Sequence, residues 1–164
     1  MNGGGSEQVD IVVEAKSGSR HKYSSEEGGL KLERILPDSI VFPEDYGRLD
    51  KTMHESGAPL EGFVLTEEPF EPGSYVSINP IGAIRTRNGD LEKDIIIGVP
   101  VEENTGKDRT DIKDLEEELL IQLKVFIGEL HKEKSRFEVR DTIGSDKTKR
   151  LINRCKKIYK RRGM

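Results

Sequence analysis

The sequence predicts an α+β fold: a small closed β-barrel of five to six strands, followed by a long helix and a C-terminal helix. Three observations carry that reading. Short apolar or alternating runs, separated by Gly- and Pro-containing turns, fill residues 9–101, the pattern of a β unit that closes on itself. Pro80 and Gly82 interrupt the longest run, as at a bulge or a barrel corner. From Leu115 onward the apolar residues recur every three or four positions, the spacing of one helix face. A length of 164 residues suits one domain spanning 9–164, with the barrel at about 9–101 and the helical part at about 111–162.

Residues 1–8 are Gly-rich and polar, too poor in apolar surface to offset ordering entropy, and read as a flexible tail. Residues 9–15 form the first strand and residues 20–24 the second, joined by the turn Lys16-Ser17-Gly18-Ser19. Glu26-Glu27-Gly28-Gly29 makes a hairpin loop before residues 30–35, whose period-two alternation predicts a half-buried strand. Residues 62–66, 74–87 and 94–101 are the later strands of the barrel. Asp114 with Glu117 three residues on predicts a capping pair, opening a helix that buries Leu115, Leu119, Leu123, Phe126, Ile127 and Leu130. Residues 136–142 read as a last strand and residues 146–161 as a second helix. Leu151, Ile152, Cys155, Ile158 and Tyr159 form the stripe that docks this helix on the body.

No run approaches the ~18 apolar residues of a membrane span, and no charged-then-apolar leader opens the chain, so a soluble cytoplasmic protein is expected. Cys155 is the single cysteine, which excludes an intramolecular disulfide and fits a reducing compartment. The net charge of −4 hides an asymmetry. Residues 145–164 carry nine Lys or Arg against Asp146 alone, which leaves about −12 on the rest. The outward cations of this end, among them Lys149, Arg150, Arg154, Lys157 and Arg161, are candidates for contact with a polyanion or an acidic partner. His21, His54, His131 and Cys155 share no zinc-like spacing and read as surface or packing residues.

Residues 41–65, VFPEDYGRLDKTMHESGAPLEGFVL, hold the densest motif. Phe42-Pro43 is followed by Asp45-Tyr46-Gly47, then by Ser56-Gly57-Ala58-Pro59-Leu60-Glu61 and an apolar strand; Glu68-Pro69-Phe70-Glu71-Pro72-Gly73 makes a turn and Asn79-Pro80-Ile81-Gly82 follows. This order resembles the soluble (family I) inorganic pyrophosphatases, with their Y-P-x-x-Y-G block, D-x-D-P-x-D block, Pro-Gly turn and R-P-[IV]-G. The resemblance covers about residues 11–130 and runs without a gap over 34–100. It implies an OB-like barrel, diphosphate hydrolysis and clustered aspartates holding Mg²⁺, the hard cation that would neutralise the anion and activate water.

The resemblance also implies losses. The aspartates of D-x-D-P-x-D fall on Ser56, Ala58 and Glu61, and a second cluster, two aspartates and a lysine in the family, falls on Asn88, Lys93 and Ile95. An ammonium at position 93 would repel Mg²⁺. Glu14, Lys22, Arg34 and Tyr46 match the family's strand glutamate, two phosphate-contacting cations and a phosphate-contacting tyrosine, whereas the later Tyr-Lys pair has at best Lys132. The expectation is therefore a pseudoenzyme of the pyrophosphatase fold, without a cofactor, keeping a phosphate or pyrophosphate pocket and a binding or scaffold role. It would assemble as a homo-oligomer (trimer or hexamer), or with an active homologue or acidic partner. The alternative is a genuine but divergent pyrophosphatase using Mg²⁺ and relocated acids among Asp90, Glu92 and Asp94; a second alternative is polyanion binding through the C-terminal helix.

Overall fold

The computed structural model describes residues 9–102 and 109–162. The expected flexible tail lies outside the described residues. Among the described residues eight strands form: β1 Val9–Ala15, β2 His21–Glu26, β3 Gly29–Ile35, β4 Asp45–Leu49, β5 Glu61–Val64, β6 Tyr75–Asn88, β7 Leu91–Pro100 and β8 Phe137–Gly144. A 3-10 turn, Ile112–Asp114, precedes helix α1, Glu117–Leu130; helix α2, Ser145–Arg162, follows β8.

Five strands pair in a ring: β1 with β4, β4 with β5, β5 with β7, β7 with β6, and β6 back to β1. All these pairs are antiparallel except β5 with β7. The ring is the expected small OB-like barrel, and β8 extends the sheet by pairing with β6. The register of β6 against β7 shifts between Pro80 and Gly82, at the predicted interruption, because proline has no amide hydrogen for the ladder.

Three expectations need correction. Strand β4 falls inside the 41–65 motif, where no strand is expected before residue 62, because its five residues are too few for a clear alternation; four of them are buried. Gly47 is required there, since a Cβ at this position would collide with the Val12 carbonyl of the neighbouring strand. Strand β3 is exposed along its whole length instead of half-buried: it pairs with β2 alone among the described strands, in a two-stranded sheet with Gly28 at φ 94° in its turn, and its residues join neither core cluster. Asp114 does not cap α1. Asp111 caps the 3-10 turn and Asp114 completes that capping box, while Glu116 precedes α1 without a side-chain cap.

The core gathers in two clusters. One joins β1, β5 and β6 residues Ile11, Val13, Val64 and Ile78 to Leu151, Ile152 and Cys155 of α2. The other joins Phe42, Tyr46, Phe63, Ile95 and Ile97 to Leu123, Phe126 and Ile127 of α1. Phe126 fixes α1 on the barrel, its ring 4.9 Å from that of Phe42 and 6.2 Å from that of Phe63. Truncating such an aromatic costs about 3–5 kcal/mol. The predicted helix stripes are present from Leu123 to Leu130 and from Leu151 to Ile158, whereas Leu115 lies before α1 as the cap of the 3-10 turn and Leu119 and Tyr159 are half-buried; no helix among the described residues is long and apolar enough to cross a membrane.

Candidate anion pocket

The pocket assembles from four elements. In the β2–β3 hairpin, register places Lys22 opposite Arg34. Glu61 opens β5, whose parallel pairing sets it against Ile95 of β7, and Lys93 stands two residues earlier on the same face as Ile95. The end of α1 and the segment after it complete the wall. There Arg34 donates from a guanidinium nitrogen to the Leu130 carbonyl at 3.0 Å, tying the hairpin to the helix. The resulting cavity, ≈ 720 Å³, is lined by Lys22, Glu33, Arg34, Glu61, Lys93, His131, Glu133 and Lys134 among others. Four cations and three carboxylates thus share one open, polar space.

Behind this lining the charges alternate. Buried Tyr46 donates its hydroxyl to Glu61 Oε1 at 2.6 Å, and Lys93 Nζ stands 3.4 Å from Glu61 Oε2. Lys22 Nζ lies 2.9 Å from Glu33 and 3.5 Å from Glu14. Glu14 is only 5% exposed, with Arg48 Nε at 3.7 Å and the Ser25 amide donating at 3.2 Å.

These contacts set the protonation states. Burial alone would raise the Glu61 pKa, but the Lys93 charge, the Tyr46 hydroxyl and Lys22 overcome it and hold the carboxyl below its ordinary 4.5. Burial likewise works to lower Lys22, and the Glu33 hydrogen bond with the charges of Glu14 and Glu61 raise it instead. Burial and then the adjacent Glu61 charge push Tyr46 well above the usual tyrosine value, so it stays a donor. Burial lowers His131. Its Nδ1 lies 3.0 Å from the Ile127 carbonyl and therefore carries the proton, which leaves Nε2 as the acceptor.

The sequence-predicted residues divide sharply. Lys22, Arg34, Glu61 and Lys93 converge on the cavity, with Tyr46 and Glu14 directly behind. Ser56 and Ala58 instead sit exposed on the turn before β5, where the Ala58 carbonyl accepts from the His54 amide and the Ser56 amide donates to His54 Nδ1. Asn88 ends β6 at the β6–β7 hairpin, and Ile95 is a buried core residue. The relocated acids do not line this cavity. Asp94, on the opposite face of β7 from Lys93, is 3.4 Å from Arg85, while Asp90 lines a separate pocket with Arg87, Arg136 and Arg140. Lys132 pairs with Glu129 and does not line the cavity; His131 and Lys134 do.

Sequence reasoning missed Glu33, His131, Glu133 and Lys134. Glu33 was legible as the neighbour of Arg34, but a strand alternation says nothing of which residue bends over a cavity. His131 is partly the expected packing residue, stacked on Phe137 at 4.2 Å. Among the described residues, no group of three or more His, Cys, Asp or Glu is placed to hold a metal ion.

On α2 the stripe Leu151, Ile152, Cys155 and Ile158 is buried, while Arg150, Arg154, Lys157 and Arg161 are exposed; Lys149 is half-buried.

A closed five-stranded ring with a charged cavity at the mouth formed by β5, β7 and the β2–β3 hairpin places the chain in the class of small OB-like barrel proteins. The family described as "Pyrophosphatase: Inorganic pyrophosphatase" matches residues 11–160. The chain belongs to the inorganic pyrophosphatase family. It is 34% identical to the inorganic pyrophosphatase of Nanoarchaeum equitans over 94% of this chain and 99% of that one. It is 31% identical to soluble inorganic pyrophosphatase 2 of Chlamydomonas reinhardtii, over 92% of this chain and 80% of that one. The crystal structure of inorganic pyrophosphatase from Thermus thermophilus superposes with a TM-score of 0.86 at 29% identity, covering 94% of this chain and 92% of that one.

Proposed function

We propose that the chain binds diphosphate in this cavity and hydrolyses it to phosphate. The relatives above are named for that activity, which supports the divergent-enzyme reading over the expectation of a pseudoenzyme. The observation that carries the substrate class is the convergence of Lys22, Arg34, Lys93 and Lys134 on one cavity. Phosphoryl transfer asks a protein mainly to position the anion and to neutralise charge that shifts from the transferred group to the leaving group. Arg34, fixed by the Leu130 carbonyl, and Lys22, fixed by Glu33, are preorganised for that work. His131 Nε2, with the Nδ1 proton held by Ile127, is a proton acceptor at the same wall.

Mg²⁺, the cation the resemblance implies, would supply charge neutralisation and an activated water. The donor set of the described residues does not fit it: Glu61 has one oxygen on Tyr46 and the other beside Lys93, and Ser56 and Ala58 face elsewhere. That observation favours a second reading, binding of diphosphate without turnover. Phosphate release from diphosphate with Mg²⁺, Mn²⁺ or Zn²⁺ decides between them. Release proportional to protein and lost in Arg34→Ala supports hydrolysis. A rate at least ~10⁴-fold below that of the Thermus thermophilus enzyme, equal to ~5.4 kcal/mol of barrier, supports binding alone.

A further inference from the structure

We propose that the Lys93 ammonium is the resident cation of this pocket and takes the place of a divalent ion, so that diphosphate binds without metal. The inference rests on the reading of the cavity as a diphosphate site. Its basis is that Glu61, Glu33 and Glu14, the carboxylates nearest Lys93 and Lys22, already face protein cations. Glu61 is held between Tyr46 and Lys93, Glu33 by Lys22, and buried Glu14 by Lys22, Arg48 and the Ser25 amide. A hard divalent ion, even one that keeps several waters, is held by one or two carboxylates, and at these carboxylates it would meet the repulsion of the ammonium groups already beside them.

Lys93 is also built in rather than trailing from a loop. It lies within β7, paired with Thr86 of β6, and the buried Thr86 hydroxyl donates to the Lys93 carbonyl at 2.7 Å. The ladder thus fixes the lysine backbone, while the side chain, about one-third exposed, lines the cavity that Lys22, Arg34 and Lys134 also face. Its charge reaches deep into the wall: it is the foremost influence that holds Glu61 ionised against burial. A diphosphate entering here meets ammonium and guanidinium groups directly, and Glu61 serves to position the ammonium instead of binding a metal. Salt weakens such binding, because an open pocket is screened over about 8 Å at physiological ionic strength.

Calorimetry of sodium diphosphate against the full chain, in EDTA and then in excess Mg²⁺, tests this. Binding in EDTA is expected, with affinity changed less than about threefold by Mg²⁺. Lys93→Met should weaken binding in EDTA at least tenfold and Lys93→Arg should retain it. Lys93→Asp is the decisive variant: binding should vanish in EDTA and return with Mg²⁺, an outcome that misfolding cannot imitate. Binding of the native chain only with Mg²⁺, or a Lys93→Met protein that is folded by circular dichroism and binds unchanged in EDTA, overturns the inference while leaving the diphosphate site standing. Absence of binding under both conditions overturns the site reading as well.

Discussion

Glu61 divides its two carboxylate oxygens between a buried phenol and an ammonium, Tyr46 on Oε1 at 2.6 Å and Lys93 near Oε2 at 3.4 Å. A carboxyl held below its ordinary 4.5 in the fold binds its proton more weakly than in the unfolded chain. Its contribution to stability is therefore complete above that value and is lost as pH falls through the folded pKa. Tyr46→Phe removes one of the two supports. Thermal melts should show a loss of about 1–2 kcal/mol at pH 7, and a smaller further decline between pH 5 and 3 than the native chain shows. An unchanged acid profile would mean that the hydroxyl contact contributes nothing to holding Glu61 ionised.

Lys22 links Glu14 and Glu33, and only the first of these is buried. Lys22→Met should cost about 3 kcal/mol in urea unfolding, because it deprives a buried carboxylate of its nearest ammonium. Glu33→Gln, at the half-exposed end of the same pair, should cost under about 1 kcal/mol. Equal losses in the two variants would show that burial of Glu14 is not what makes Lys22 matter.

Exposed Ile121 and Val125 stand one turn apart on α1, and Leu30, Leu32 and Ile35 are exposed on the hairpin. Covering such surfaces motivates the expectation of a homo-oligomer. Light scattering at micromolar concentration should give a mass above that of the 18.5 kDa chain. The chain mass itself would refute self-assembly.

Arg150, Arg154, Lys157 and Arg161 are exposed along α2. Charge removal at Arg150, Arg154 and Lys157 together should shift stability by only about 0.5 kcal/mol per site or less. Any loss of duplex DNA binding would then report contact rather than unfolding, with a salt slope of about −0.9 in log K per phosphate neutralised. No binding at low salt would leave these cations as a solvated face.

The barrel and both helices were legible because their evidence is periodic: the stripes Leu123–Phe126–Ile127–Leu130 and Leu151–Ile152–Cys155–Ile158 announce a buried face whatever it packs against. β4 was not, since a five-residue strand shows too little repetition, and the exposure of β3 follows from a partner list that no alternation encodes. The cation side of the pocket was found through a motif. His131 and Lys134 were not, because they reach the cavity by the angle at which α1 ends, which is a property of packing. The pairing of Lys93 with Glu61 across β5 and β7 joins residues 32 apart in the chain and is visible only once the parallel register is known.

The closing pair of the ring joins Val9 to Ile78 and Val12 to Tyr75. The barrel therefore cannot shut until β7, which links β5 to β6, has been made, although six of the seven residues of its first strand are buried in the closed ring. At about 5–20 residues per second of synthesis, β1 waits on the order of several seconds for its second neighbour. That interval is when the nascent chain is most open to association with other chains, and it is set by strand order alone.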